Sequence, residues 1–127
     1  MRSRLTISVI LLAVVIGCGV LNIRLTWSIS QRYISAAEEL RTLVQAEGWQ
    51  RAEETAGAYH AAWRETLDWL QMLINHGDGD EVSYALEEIQ AGAMAQDTVT
   101  CLVACTRLRE AAEHIYHRDA FTLGNIL

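Results

Sequence analysis

The sequence contains no proline, no lysine and no recognisable catalytic motif. Without proline, nothing in the chain breaks the helical hydrogen-bond ladder, and the abundant Ala, Leu, Glu and Arg residues all favour helices. The phosphate-binding glycine loops, the HExxH motif of zinc proteases and the GxSxG motif of serine hydrolases are absent as well. The composition therefore predicts an all-α protein, and no catalytic residue and no cofactor is predicted.

Positive charge is also scarce after residue 23. That part of the chain carries eight arginines against sixteen acidic residues, a net charge of −8. Such a domain repels phosphate backbones and the surface of anionic lipid, because charges of one sign repel. Nucleic-acid binding is therefore excluded as a function class.

What the sequence does have is one long apolar run, Leu5–Ile23, which contains no charged residue. Nineteen helical residues span roughly 28 Å, about the thickness of the hydrocarbon core of a bilayer. Trp27 follows one turn later, where aromatic side chains prefer the membrane interface. We expect an uncleaved transmembrane anchor over residues 5–23.

Two alternatives to this anchor remain. A cleaved signal peptide would have a shorter apolar core and a cleavage site flanked by small residues, and no such site follows the run. A lipoprotein would be processed before Cys18, since Val15-Ile16-Gly17-Cys18 resembles a lipoprotein cleavage box. The residues after Cys18 stay apolar to Ile23, however, where a lipoprotein normally begins a polar tether.

The flanking charges predict the orientation of the anchor. Arg2 and Arg4 favour a cytoplasmic N-terminus, although Arg24 and Arg32 on the other side keep the bias small. We expect residues 1–4 in the cytoplasm and residues 24–127 as an extracytoplasmic domain of the cell membrane.

Apolar residues after the run recur at steps of three and four, which is the spacing of one helical face. A first helix continues the membrane span and is expected to end at Gly48, and a second runs from Trp49 to Ile74 over about seven turns. Their stripes comprise Ile29, Tyr33, Ala36, Leu40 and Leu43 in the first, and Trp49, Ala52, Ala56, Tyr59, Trp63, Leu67, Leu70 and Ile74 in the second.

Two further helices are predicted after a turn at residues 77–80. Asp80 is expected to cap the third helix and Asp97 the fourth. Their stripes comprise Val82, Leu86, Ile89 and Ala93, then Cys101, Cys105, Leu108, Ala112 and Ile115. Short connections make such helices antiparallel neighbours, so the fold expected is a four-helix bundle whose first helix extends into the membrane.

Metal-ligating residue types occur in pairs only. Cys101 and Cys105 lie four residues apart on a buried stripe, where free cysteine behaves as a small apolar residue. His114 and His117 lie three apart, and a third ligand would have to be His76 or Asp119. The acids Asp78, Asp80 and Glu81 lack the remaining ligands of a calcium loop. We predict no metal site from these patterns.

The order of landmarks resembles a bacterial family, found mainly in Firmicutes, of uncharacterised proteins that share domain of unknown function 4363. The resemblance rests on the basic start and single span, Gly48-Trp49, Trp63, Leu73-Ile74-Asn75-His76 before an acidic turn, His114-Ile115, and the closing Thr122-Leu123-Gly124-Asn125-Ile126-Leu127. Here Gly124 stands where relatives usually have an acid, and Gly77 and Gly79 are additions to the acidic turn. The resemblance implies an uncleaved anchor and an extracytoplasmic helical domain, and it implies no activity.

The function expected is therefore that of a non-enzymatic interaction or accessory module for another membrane or envelope protein. A partner or ligand patch is predicted at His76, Asp80 and His114, which antiparallel helices would bring to the same end of the bundle. The alternative is a small-ligand or metal sensor using His76, His114 and His117. A homodimer is compatible with the small residues of the span, although GxxxG spacing is absent.

Overall fold

The computed structural model describes residues 1–74 and 76–126, with side chains described up to Tyr116. This part of the chain folds into four helices and contains no strand, which confirms the all-α fold class. The helices are α1 (Arg2–Gln45), α2 (Trp49–Leu70), α3 (His76–Met94) and α4 (Thr98–Ile126).

The helices form an antiparallel bundle in which each packs on its neighbours in the chain, and α4 also packs on α1. Two contacts show the direction of α4 against α1. Ser30 Oγ donates to the carbonyl oxygen of Ala112 at 2.7 Å, whereas Arg109 contacts Glu38 at 3.0 Å. Residue numbers therefore rise along one helix as they fall along the other.

The predicted stripes form the core. Trp63 and Tyr33 are its largest fully buried side chains, and their rings meet edge to face with centroids 4.9 Å apart. Alanines at Ala36, Ala52 and Ala56 are fully buried and let the helices approach closely. The spacing of apolar residues thus identified the buried faces of all four helices.

The first part of α1 is different, because its side chains are exposed among the residues that the structure describes. Its large apolar side chains from Leu5 to Leu21 are about half exposed or more, and the most apolar window of the helix has no buried residue. The helix is long and apolar enough to cross a membrane, which is also true of an N-terminal signal sequence. It continues without a break into the part of α1 that builds the bundle.

Helices α1 and α3 end in the same way. The N–H of Gly48 donates to the carbonyl oxygen of Leu43, five residues earlier, at 2.9 Å. The N–H of Asp97 donates in the same way to the carbonyl oxygen of Gly92 at 2.9 Å. This pattern requires the preceding residue to adopt the left-handed conformation. That residue is Glu47 (φ 57°) in one case and Gln96 (φ 53°) in the other. The expectation that Gly48 itself takes the helix-ending conformation is wrong, since its φ is −77°.

The boundary between α2 and α3 also differs from the prediction. Helix α2 ends at Leu70, so Ile74 packs on the core from outside the helix. Helix α3 begins at His76, so residues 77–80 are helical rather than a turn, and Asp80 is not a helix cap. His76 therefore begins α3 and does not end α2.

Gly79 lies within this helical stretch and is buried against α2. Its carbonyl oxygen accepts a hydrogen bond from Trp63 Nε1 at 3.0 Å, and a β-carbon at this position would collide with Leu67 Cδ1. This glycine permits α2 and α3 to approach closely, and tertiary packing overrides its weak helix propensity. Residue type alone suggested a turn.

The cap of α4 is as predicted. Asp97 accepts hydrogen bonds from the backbone N–H of Thr100 at 3.1 Å and from its hydroxyl at 2.7 Å. These bonds lower the pKa of the Asp97 carboxyl, because they stabilise its ionised form.

Candidate functional site

An open groove lined by ionisable side chains lies between α3 and α4. Because the two helices are antiparallel, the first turns of α3 lie beside the later turns of α4. The groove has a volume of about 290 Å³ and is lined by Asp78, Glu81, Arg107, Glu110, Ala111 and His114. We call it the acidic groove.

The charge in the acidic groove is predominantly negative. It contains three carboxylates, and its one arginine is engaged elsewhere, since Arg107 Nη1 lies 2.7 Å from Glu88 Oε2 on α3. His114 is exposed at one side. Such a surface can attract a cationic segment or ligand, with an attraction that salt weakens because the charges are exposed.

The structure brings together only part of the predicted patch. His114 lies in the acidic groove, but the α3 residues that line the groove with it are Asp78 and Glu81. His76 and Asp80 are exposed on the first turns of α3 and do not line the groove. The sequence placed these ends of two helices together, but the α3 residues that line the groove differ from those of the predicted patch. The helix was expected to start after Asp80, whereas α3 begins at His76.

No group of three or more His, Cys, Asp or Glu side chains among the described residues has the geometry to hold a metal ion. His117 and Asp119, which were considered as further ligands, lie outside the described side chains. His114 and its two acidic neighbours from α3 thus form an electrostatic surface in the described part of the chain.

The two core cysteines are buried as predicted. Burial raises the pKa of both thiols, and for Cys105 it raises the pKa to about 11. Cys101 Sγ lies 3.6 Å from the carbonyl oxygen of Ile89. A thiol with a raised pKa stays protonated near neutrality and is a poor nucleophile and a poor metal ligand.

His60 lies off the apolar stripe of α2, where a solvated side chain is expected, but it is not solvated. It is half-buried, and its Nε2 lies 3.5 Å from Glu87 Oε1 on α3. The contact joins α2 to α3 on the outside of the bundle. Periodicity missed it because the histidine flanks the stripe rather than lying on it.

A second open groove lies between α1 and α2, and it was not predicted from the sequence. Tyr59 donates its hydroxyl proton to Glu39 Oε2 at 2.6 Å, and this hydrogen bond, helped by desolvation, raises the pKa of Tyr59 to about 12. Arg32 lies over the ring of Tyr33, 5.8 Å from its centroid. The neighbouring Tyr33 is buried, and burial raises the pKa of its hydroxyl. The hydrogen bond between Tyr59 and Glu39 joins α2 to α1.

Comparison with known proteins gives a family and no activity. No curated protein and no solved structure matches the chain significantly. A family model described as "Domain of unknown function (DUF4363)" matches residues 20–126. This match includes the bundle and the end of the apolar run, and the chain therefore belongs to the DUF4363 family.

Proposed function

We propose that this chain is a single-pass membrane protein whose extracytoplasmic bundle is a non-enzymatic accessory module for another envelope protein. The observation that carries the proposal is the exposed apolar part of α1. It is continuous with the bundle, and its most apolar window has no buried residue in the part of the chain that the structure describes. Exposing that much apolar surface to water is unfavourable, and a bilayer removes the cost. The rigid helix then holds the bundle beside the membrane.

The proposed topology follows from the charges at the start of the chain. Arg2 and Arg4 hold residues 1–4 in the cytoplasm, residues 5–23 cross the membrane, and residues 24–127 lie outside. The strong negative charge of the last segment is compatible with this side, since the positive-inside rule concerns arginine and lysine.

The mass of the protein extracted from its native membrane distinguishes the anchor from its alternatives. An uncleaved span predicts an intact mass that includes the N-terminal segment, together with resistance to extraction by alkaline carbonate. A chain beginning at Cys18 with attached acyl groups would show the lipoprotein alternative. A chain that has lost the apolar run and leaves the membrane in carbonate would show a cleaved signal sequence and overturn the anchor.

For docking, we propose that the acidic groove receives a cationic segment of the partner. Asp78, Glu81 and Glu110 supply three carboxylates from two helices, and Arg107 is already engaged with Glu88. The partner is thus expected to present arginine or lysine side chains. Complementary charge of this kind contributes mainly to specificity and to the rate of association.

A photo-crosslinking amino acid placed in living cells at Glu110 tests the docking surface. The matched control places it at Thr55, which lines the α1–α2 groove on another side of the bundle. We expect a discrete adduct with one envelope protein from position 110 and none from position 55. The same adducts from both positions, or no adduct from either, would contradict docking at the acidic groove.

The second candidate function is that of a small-ligand or metal sensor, favoured only by the position of His114 beside Asp78 and Glu81. Element analysis of protein purified without chelators distinguishes it from the accessory role. One equivalent of metal that is lost on changing His114→Ala would favour the sensor.

A further inference from the structure

Large apolar side chains are exposed in the last turn of α2 and in the turn that follows it, next to residues of the buried core. Met72 is 82% exposed, Leu73 46% and Trp69 40%, whereas Leu70 is fully buried and Ile74 packs on the core. We call Trp69, Met72 and Leu73 the apolar tip. Three such residues together on the surface of a small protein are typical of a contact surface.

The position of the apolar tip along the bundle follows from the contact between α1 and α2. The rings of Tyr33 and Trp63 meet, so these residues lie at one level. Trp27 precedes Tyr33 by six residues and Trp69 follows Trp63 by six, in helices that run in opposite directions. Each tryptophan therefore lies about 9 Å from that level, toward the same end of the bundle.

That end is the one from which the apolar run of α1 departs. Ile23, the last residue of the run, lies ten helical residues before Tyr33, which is about 15 Å. In α2, Leu70 is the last helical residue and lies seven residues, about 10 Å, after Trp63. Met72 and Leu73 follow in the turn after Leu70. The turn that carries them is thus within about one helical turn of the level at which the apolar run ends.

We propose that the apolar tip inserts into the interfacial layer of the bilayer and gives the bundle a second membrane contact. The proposal rests on the anchor proposed above. Tryptophan prefers this layer, and Trp27 and Trp69 would enter it from two helices. A second contact would fix the tilt and rotation of the bundle on the membrane, which one helix crossing the bilayer does not fix.

The contact is apolar rather than electrostatic. Exposed acids flank the tip in the sequence, with Asp68 before it and Asp80 after it. These residues are repelled by anionic headgroups. Insertion is therefore expected in vesicles made of phosphatidylcholine alone, without anionic lipid.

The opposite end of the bundle supplies a matched control. Met94 is 66% exposed at the end of α3, as apolar and as accessible as the tip. Met94 lies close in the chain to Thr98, the first residue of α4. Ala112, which accepts the hydrogen bond from Ser30, follows Thr98 by fourteen helical residues, about 21 Å. Met94 is therefore about 20 Å or more beyond the level of Ser30, away from the membrane.

The test uses the full chain in phosphatidylcholine vesicles, with Cys18→Ser as background because Cys101 and Cys105 are buried. A bimane label is attached at Met72→Cys or at Met94→Cys, and its fluorescence is measured with lipids that carry a nitroxide near the headgroup end of the acyl chain. We expect several-fold stronger quenching at position 72 than at position 94. Both sites are exposed, so circular dichroism should show the same helix content for both variants.

Equal quenching at the two positions, in chains that float with the vesicles, would overturn the membrane contact of the tip and leave the anchor intact. Failure of both variants to float with the vesicles would overturn the anchor, and the proposal about the tip with it. Strong quenching at position 72 that requires anionic lipid would contradict the apolar mechanism.

Discussion

At the scale of single residues, Gly79 is a buried helical position without room for a side chain. We predict that Gly79→Ala leaves the fold about 1 kcal/mol less stable than the same change at Gly77, because the new methyl group must displace Leu67 Cδ1. Chemical denaturation followed by circular dichroism in detergent measures the change.

Gly77→Ala is the matched control, because it lies in the same first turns of α3 and a β-carbon there meets no atom within 4 Å. It should be neutral or stabilise the helix by up to about 1 kcal/mol. In a Leu67→Ala background, the Gly79→Ala change should cost less than in the wild type. Equal effects of the two glycine substitutions would show that close packing at Gly79 does not matter.

Cys105 gives a prediction about pH. Its pKa is raised by burial from 9.0 to about 11, so the folded state keeps a proton that the unfolded state loses above pH 9. The stabilisation is fully present below pH 9 and is lost as the pH rises toward 11. Unfolding midpoints should therefore fall more steeply between pH 9 and 10 for the wild type than for Cys105→Ala. Parallel pH curves for the two proteins would contradict the assignment.

At the scale of elements, the ends of α1 and α3 are stabilised by backbone hydrogen bonds but use unfavourable residues. Glu47 and Gln96 adopt positive φ, which costs a residue with a side chain roughly 1–2 kcal/mol relative to glycine. Glycine removes this cost, but its greater entropy in the unfolded chain offsets part of the gain. Glu47→Gly and Gln96→Gly should therefore each stabilise the protein by about 0.5–1 kcal/mol.

Ala46→Gly is the comparison, because Ala46 has an ordinary φ of −85° one residue earlier. It should destabilise by about 0.5–1 kcal/mol. Thermal melts of the three variants in one detergent give the order. If Glu47→Gly melts below the wild type, the left-handed conformation at that residue is not a source of strain.

The helices themselves could be predicted because each buries one stripe at the spacing of three and four. Tyr33, Trp63, Leu86 and Leu108 all came from that pattern and are all buried. Boundaries were predicted where side-chain chemistry sets them, as at Asp97, and were wrong where packing sets them, as at Gly79. A close approach between two helices has no signature in either helix alone.

At the scale of the whole molecule, the sequence predicted the membrane-sized apolar run and the antiparallel order, and so which helix ends meet. It did not predict the residues of the acidic groove. Asp78 lines the groove from within α3, whereas the turn assigned to residues 77–80 had removed it from any helical face. Glu81 was expected within the third helix but lies off its apolar stripe. The apolar tip was also missed, since Trp69 and Leu73 look like parts of a longer α2.

We propose, for the whole molecule, that the anchored bundle docks on another envelope protein through its acidic groove. The most direct test of this docking is affinity recovery of the tagged full-length chain, crosslinked in cells before mild solubilisation, with mass spectrometry of the proteins that accompany it. The groove variant reverses two charges of the acidic groove, Glu81→Arg together with Glu110→Arg. The α2 variant is its control and combines Glu54→Arg with Glu65→Arg, at two exposed positions of α2. We expect the wild type and the α2 variant to recover a stoichiometric membrane partner, and the groove variant to lose it. Recovery of the chain alone, or of the same partner with all three proteins, would contradict it.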